Sequence, residues 1–441
     1  MGMIEKNIIV FGAGEWGVEM LSFLKENNIL VRCVFDNGSK RWGQMMADNV
    51  IIEQPRYIED SLVIICVARY YRSIFDQLIS LGYSENHIFF TDEFKLLLMD
   101  GESSYDGGVC EYPSTIQFPV TYACNFNCIM CGMPKLKYKK HASVDEIKKI
   151  LQDDLFRKVE YVGINGGEPF LRNDLAECME VMIDVLPELK GFNIISNGFF
   201  TERIVSVLKR IHGKCQDNGI NVSIAISVDG IGELQDEHRG CGGAFECANK
   251  TIDILRSNPE LCDSLSVICT ITKKNIFNVN EVVVWAEQKD LYVNYNIATE
   301  NERIANQDKV SDFSLFKDER ARMMAQEFFF GLYQKTKEER YYGLFLYLRE
   351  KRRYTECPCQ KNKWITIYPE GTVGFCATHS VEIGNALEES ARSIVNRNLN
   401  YLEQIKAEKC EKCAQYSSRL NAEGKKVLYT EELKNRMLRW K

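Results

Sequence analysis

Between Thr115 and Ile297 the chain alternates six short apolar runs with five stretches in which apolar and charged residues recur at helical spacing. The runs cover 116–122, 159–165, 191–196, 221–228, 264–271 and 291–297. The helical stretches fall near 144–153, 174–186, 200–212, 243–257 and 277–288. Strands alternating with helices predict a parallel sheet, because parallel neighbours must be joined through a crossover. Six such units predict an α/β fold, a partial (β/α)6 barrel. In parallel barrels the loops after the strands build the site. Residues at the strand ends are therefore the first candidates for chemistry.

The first strand-end loop reads Thr-Tyr-Ala-Cys-Asn-Phe-Asn-Cys-Ile-Met-Cys, with Cys124, Cys128 and Cys131 in the spacing C-x3-C-x2-C. It supplies three thiolates, not four. A cubane [4Fe–4S] cluster takes Cys thiolates as its usual ligands. Three of them leave one iron open to a small molecule, as an open position does on a catalytic zinc. A structural zinc site wants a fourth ligand at paired spacing. The nearest downstream histidine, His141, lies ten residues beyond Cys131, outside that spacing.

Three further motifs close later strands: Gly166-Gly167-Glu168-Pro169, Ser196-Asn197-Gly198 and Ser227-Val228-Asp229-Gly230, with His238-Arg239-Gly240 just beyond. With the cysteine loop, this order resembles the radical S-adenosylmethionine (radical SAM) enzymes over roughly residues 114–300. The resemblance implies a cluster on Cys124, Cys128 and Cys131 that binds S-adenosylmethionine (SAM) and cleaves it reductively. It implies that Gly166, Gly167 and Glu168 receive the SAM amino group. It further implies that Asn197, Ser227 and Asp229 meet ribose hydroxyls or the SAM carboxylate, and that Arg239 clamps that carboxylate. His238 matches the family's His-x-x-Arg-Gly stretch only loosely, since His and Arg are adjacent here.

Cysteines gather again near the C-terminus. Cys359, eleven residues, Gly371, four residues and Cys376 are followed by Cys410-x2-Cys413. The pattern resembles the auxiliary-cluster domains called SPASM and, when shortened, Twitch. The 28 residues after Cys413 hold no cysteine, so one auxiliary [4Fe–4S] cluster, Twitch-like, is expected on Cys359, Cys376, Cys410 and Cys413. Cys357 competes with Cys359, and a four-cysteine zinc site is the alternative. Cys33, Cys66, Cys178, Cys215, Cys247 and Cys269 lie mostly in apolar runs and are expected in the core.

At the other end, Ile8 to Phe11 reads as a buried strand, and Gly12-x-Gly14-x-x-Gly17 follows it and opens a helix. That is the context a dinucleotide fingerprint requires. Asp36 ends the second strand, where a ribose-binding acid sits. Glu15 opposes this reading, because its charge inside the glycine loop repels a pyrophosphate. The domain resembles small Rossmann-like domains attached to enzymes of sugar and surface-polysaccharide metabolism. Nucleotide binding and a docking role without ligand are both open.

The expected division is a Rossmann-like domain over 1–100, a linker over 101–113, the radical SAM core over 114–300, a helical connector over 301–355 and an auxiliary-cluster domain with tail over 356–441. The aromatic helices of 314–353 are expected to pack on the barrel rather than wall a substrate. At 441 residues the chain is too long for one core. A net charge of −7 without a basic block argues against nucleic acid. Seventeen cysteines without a signal-peptide pattern fit a reducing cytoplasm, and no apolar run approaches membrane-spanning length.

The resemblance implies an enzyme that abstracts a hydrogen atom from its substrate, with the auxiliary cluster accepting an electron. The resemblance implies a flavodoxin- or ferredoxin-like donor. The expected substrate is a sugar or nucleotide-linked small molecule. The alternatives are a ribosomal peptide and, without catalysis, a nucleotide-sensing regulator.

Overall fold

The computed structural model describes residues 7–67, 70–101, 111–136, 140–415 and 418–438. It divides into two compact units, one of residues 1–106 with 422–441 and one of 107–421. Most of the expected linker, 102–110, lies outside the described residues.

The first unit is built on a parallel sheet of β1 (Asn7–Phe11), β2 (Val31–Phe35), β3 (Ile52–Glu53), β4 (Ser61–Ile65) and β5 (Ile88–Phe90), in the order β3-β2-β1-β4-β5. Alternate residues of a strand point to opposite faces, and here both faces are apolar. Ile9, Phe11, Cys33, Phe35, Val63 and Ile65 face one core, with Tyr71, Ile74 and Leu78 of the helix Tyr71–Ser80. Ile8, Val10, Val34, Leu62, Ile64 and Cys66 face the other, with Met20, Leu21 and Leu24 of the helix Glu15–Glu26. Each such buried side chain contributes about 1.5–3 kcal/mol. The strands therefore read as continuous apolar runs.

The helix Ala422–Leu438 also belongs to this unit, against the expectation that placed it with the C-terminal domain. The reason is apolar burial: Leu428 and Tyr429 are buried beside the helix Thr91–Gly101. Lys95 Nζ lies 5.2 Å from the ring centres of both Phe23 and Tyr429.

The second unit carries β6 (Thr115–Thr121), β7 (Tyr161–Gly166), β8 (Gly191–Ser196), β9 (Asn221–Ser227), β10 (Ser264–Ile271) and β11 (Val293–Ile297), paired in parallel in chain order as a partial barrel. Long apolar-faced helices join them, such as Thr201–Asp217, which buries Ile204, Leu208, Ile211 and Cys215. The hairpin signal at 365–373 is present as β12 (Trp364–Ile367) and β13 (Thr372–Gly374), antiparallel, followed by β14 (Gly384–Asn385). The sequence pattern did not disclose that β12 adds in parallel to the open edge of β6. The sheet thereby runs without a break from the barrel into the cysteine-rich segment.

The helices Glu319–Thr336 and Glu339–Glu350 pack on each other and on β11, with Phe328 edge-on to Tyr295 at 5.0 Å. Cys33, Cys66, Cys178, Cys215 and Cys269 are buried as expected. Cys247 is a correction, being only partly buried on the helix Ala244–Ser257.

Candidate functional site

The loop after β6 holds Cys124, Cys128 and Cys131 in one apolar cluster with Phe126, Met130, Phe199 and Phe313. Later strand ends fasten its backbone. Gly167 N donates to Thr121 O and Glu168 N to Ala123 O, each at 2.8 Å. Ile129 N donates to His238 O at 3.0 Å. The glycines allow this approach: a Cβ on Gly167 would lie 2.1 Å from Ala123 O. One on Gly240, which sits at φ +61°, would lie 2.2 Å from Asn127 O. From the connector, Lys309 Nζ donates to Cys128 O at 3.1 Å and Cys131 O at 2.7 Å, and Asn306 Nδ2 to Met130 O at 2.8 Å.

Behind the loop lies a buried polar layer. Glu168 accepts from Ser196 Oγ at 2.9 Å, Asn197 N at 2.8 Å and Phe170 N at 3.2 Å. Burial pushes its carboxyl up to about 7 against those three donors. Asn197 Nδ2 donates to Asn125 Oδ1 at 2.9 Å, tying β8 to the cysteine loop. Ser227 is buried, and its carbonyl accepts from Gln235 Nε2 at 2.9 Å.

Asp229 needs correcting as a ribose or carboxylate contact. It is fully buried, and both its oxygens are taken up inside the protein. Oδ2 faces His238 Nδ1 at 2.9 Å and Arg239 Nε at 2.7 Å, and Oδ1 accepts from Thr270 N at 2.7 Å. Burial alone would raise its carboxyl, but Arg239 and His238 beside it hold it below the usual range. The charge of Arg239 also opposes the rise that burial gives the Cys128 thiol. Asp229 therefore orients Arg239 at the edge of the cysteine loop.

The residues fit an iron–sulfur cluster with an open iron. Three thiols share one loop, and the buried Asn125 Nδ2 has no hydrogen-bond partner among the described residues. Burial pushes the Cys124 thiol up to about 12 and also raises Cys128. Iron must then displace protons on binding.

A second constellation lies beyond β12. Cys357, Cys359, Cys376, Cys410 and Cys413 line one cavity with Arg353. Among the described residues no three Cys, His, Asp or Glu side chains sit as a ready grip for one ion. The five thiols instead surround a common space. Cys359 lies in one buried cluster with Cys357 and Cys376, and their mutual influence raises its own thiol and lowers its neighbours, Cys376 to about 6. The amides of His379 and Thr378, 3.2 and 3.4 Å from Cys376 Sγ, add to that lowering. Four thiolates close a cubane, so the donor set fits with one thiol to spare.

In the first unit, Gly12, Gly14, Glu15, Asp36, Arg41 and Tyr70 line an open cleft of about 460 Å³. It lies beyond the carboxyl ends of β1 and β4, where the strand order reverses and such sheets bind ligands. Gly12 sits at φ +119°, and a Cβ on Gly17 would lie 1.9 Å from Gly12 O. Asp36 accepts from Ala13 N at 2.9 Å and Gly38 N at 2.7 Å, and Arg41 Nη1 lies 3.5 Å away.

Asn125, Ser196, Lys309, Asn306 and Arg353 were not singled out from the sequence. Ser196 stood inside a quoted motif. Nothing in the local pattern marks Lys309 or Arg353.

Three family models match separate stretches of the chain. The family model described as the radical SAM superfamily matches residues 118–281, and the SPASM model, described as an iron-sulfur cluster-binding domain, matches 357–415. A third, described as C2185-like, N-terminal, matches 4–89. A probable GTP 3',8-cyclase of Methanococcus maripaludis is 29% identical over 164 residues, 36% of this chain and 52% of the relative. The sporulation killing factor maturation protein SkfB of Bacillus subtilis is 27% identical over 197 residues, 44% of this chain and 45% of the relative. The chain spans about half the length of the curated relatives it matches. The solved structure of native anSMEcpe with bound AdoMet aligns with a TM-score of 0.51 at 15% identity, covering 74% of this chain and 98% of that one, a likeness of fold. Among the described residues no helix is long and apolar enough to cross a membrane.

Proposed function

This chain belongs to the radical SAM superfamily and carries a SPASM domain, and from that premise we propose that it cleaves SAM and abstracts a hydrogen atom from a substrate. The observation that carries the reading is the three-thiol loop pinned by Gly167, Gly240 and Lys309. A cluster bound there would supply the electron for reductive cleavage of SAM.

The chain's own residues set the conditions for this. Cys124, Cys128 and Cys131 would hold the cluster. Asn125, Asn197 and the Gly166-Gly167-Glu168 segment would offer polar groups to SAM at the cysteine loop. Arg239, oriented by Asp229, presents a positive charge at the edge of the loop. Phe126, Phe199 and Phe313 keep water out. At the second constellation, Cys359, Cys376, Cys410 and Cys413 would hold an auxiliary cluster, which would supply an electron acceptor, with Cys357 competing for one position.

The substrate we favour is a nucleotide-linked or other polar small molecule. The cleft at the carboxyl ends of β1 and β4 supports it, because its glycines and the strand-end Asp36 suit a nucleotide. A second reading, a peptide substrate, is favoured by the similarity to SkfB. Anaerobic incubation of the reconstituted protein with SAM and a strong reductant tests the core claim: 5′-deoxyadenosine is expected. Its absence from a protein loaded with iron overturns the claim. Adding candidate nucleotide-sugars or peptides and following consumption separates the two substrates.

A further inference from the structure

Arg353 is a buried cation set against the C-terminal thiols. It lines the same cavity as Cys357, Cys359, Cys376, Cys410 and Cys413, and it is only 6% exposed. Its backbone N donates to Glu411 O at 2.6 Å. Its Nη2 donates to Gln415 O, and its Nη1 to Thr355 Oγ1 at 3.3 Å and Glu356 O at 3.4 Å. These bonds fix the guanidinium between the two halves of the cysteine set. The sulfurs of Cys413, Cys357 and Cys410 act on it electrostatically across that cavity. Its Nε is buried and has no hydrogen-bond partner among the described residues. A buried N–H without a partner costs about 1–3 kcal/mol. A donor left over at the wall of a thiol-lined cavity matches a sulfur acceptor filling that cavity.

We propose that Arg353 is a positioning residue that sets the reduction potential of the auxiliary cluster, by placing a fixed positive charge and N–H donors against its sulfurs. The inference rests on the reading of Cys359, Cys376, Cys410 and Cys413 as cluster ligands. When a thiolate-bound cluster takes up one electron, its net negative charge grows by one. Arg stays protonated throughout. A fixed cation in a low-dielectric site stabilises the more negative state more, and hydrogen bonds to sulfur act in the same direction. Arg353 therefore makes the auxiliary cluster easier to reduce. That is the direction needed for a group that receives an electron from a substrate.

The test uses the full chain with Cys124, Cys128 and Cys131 all changed to Ala, so that only the auxiliary cluster remains. After anaerobic reconstitution, iron is counted and the midpoint potential is read by EPR-monitored titration. In this background, Arg353→Gln and Arg353→Met are expected to hold about four irons and to show a lower midpoint. Arg353→Lys keeps the charge but loses the fork, and is expected to fall in between. An unchanged midpoint in loaded variants overturns the role of Arg353 and leaves the cluster reading standing. Should Gln and Met fail to load, the Lys variant decides, and a midpoint equal to that of Arg353 overturns the proposal. A background protein that binds zinc and no iron overturns the auxiliary cluster itself, and this inference with it.

Discussion

Arg239 Nε lies 2.7 Å from Asp229 Oδ2, with Asp229 wholly out of solvent. The pair joins the end of β9 to the segment that fastens the cysteine loop through His238 O. Removing one partner of a buried pair leaves the other uncompensated, at about 3–5 kcal/mol. Asp229→Asn is therefore expected to lower unfolding stability by about that amount, measured in urea. The depressed carboxyl also fixes the sign with pH. Its contribution is present above the unfolded value, about 3.9, and is lost as pH falls through the lower folded value. Asp229→Asn should flatten that acid limb, whereas an unaltered limb would count against the pair.

Glu168 has the opposite sign. Burial raises its folded value to about 7, while the unfolded chain ionises near about 4.3. Between these values the unfolded state binds fewer protons, so stability falls as pH rises and levels off above the folded value. Glu168→Gln should weaken that slope in metal-free protein. Unfolding in urea at pH values on either side of the window reads it directly.

The glycines beside the cysteine loop predict a graded loss. Gly167→Ala forces a Cβ to 2.1 Å from Ala123 O, where backbone cannot yield cheaply. The loop should move, and iron on Cys124, Cys128 and Cys131 should fall to the level of a Cys128→Ala variant. Lys309→Met removes only the bonds to Cys128 O and Cys131 O, so partial loading is expected. Iron and sulfide assays on the two variants check the order.

Replacing Cys357, Cys359, Cys376, Cys410 and Cys413 by Ala should halve the iron, from about eight to about four per chain. Cleavage of SAM should partly survive, while substrate turnover is lost. Full substrate turnover in that variant would remove the auxiliary cluster from the reaction.

In the first unit, Gly17→Ala should abolish nucleotide binding, because its Cβ would lie 1.9 Å from Gly12 O. Gly14→Ala meets nothing within 4 Å and should fold normally. Glu15→Gln removes a charge from the cleft wall and should strengthen binding of an anionic nucleotide. Calorimetry of the full chain against NAD, UDP and UDP-sugars tests all three. An absence of heat with every ligand would leave the docking role.

What the sequence determined by itself was local. Apolar runs separated by helical spacing place β8 and β10 at 191–196 and 264–271, where the structure has them. Cys124, Cys128 and Cys131 were legible because one short loop holds all three. The C-terminal thiols were legible as a set, through Cys410-x2-Cys413 and the spacing around Gly371. What the tertiary structure alone decided concerns partners distant in the chain. That Asp229 spends its charge on Arg239 and His238 follows from folding the loop after β9 against the helix Glu233–Arg239. That Lys309 caps the cysteine loop, across 178 residues from Cys131, leaves no local mark. The same holds for Arg353, a basic residue among basic residues in sequence, and for the final helix, whose Leu428 and Tyr429 find their burial in the first unit. Periodicity and spacing report what a residue does with its near neighbours. The burial of a charge is settled only when the chain has folded around it.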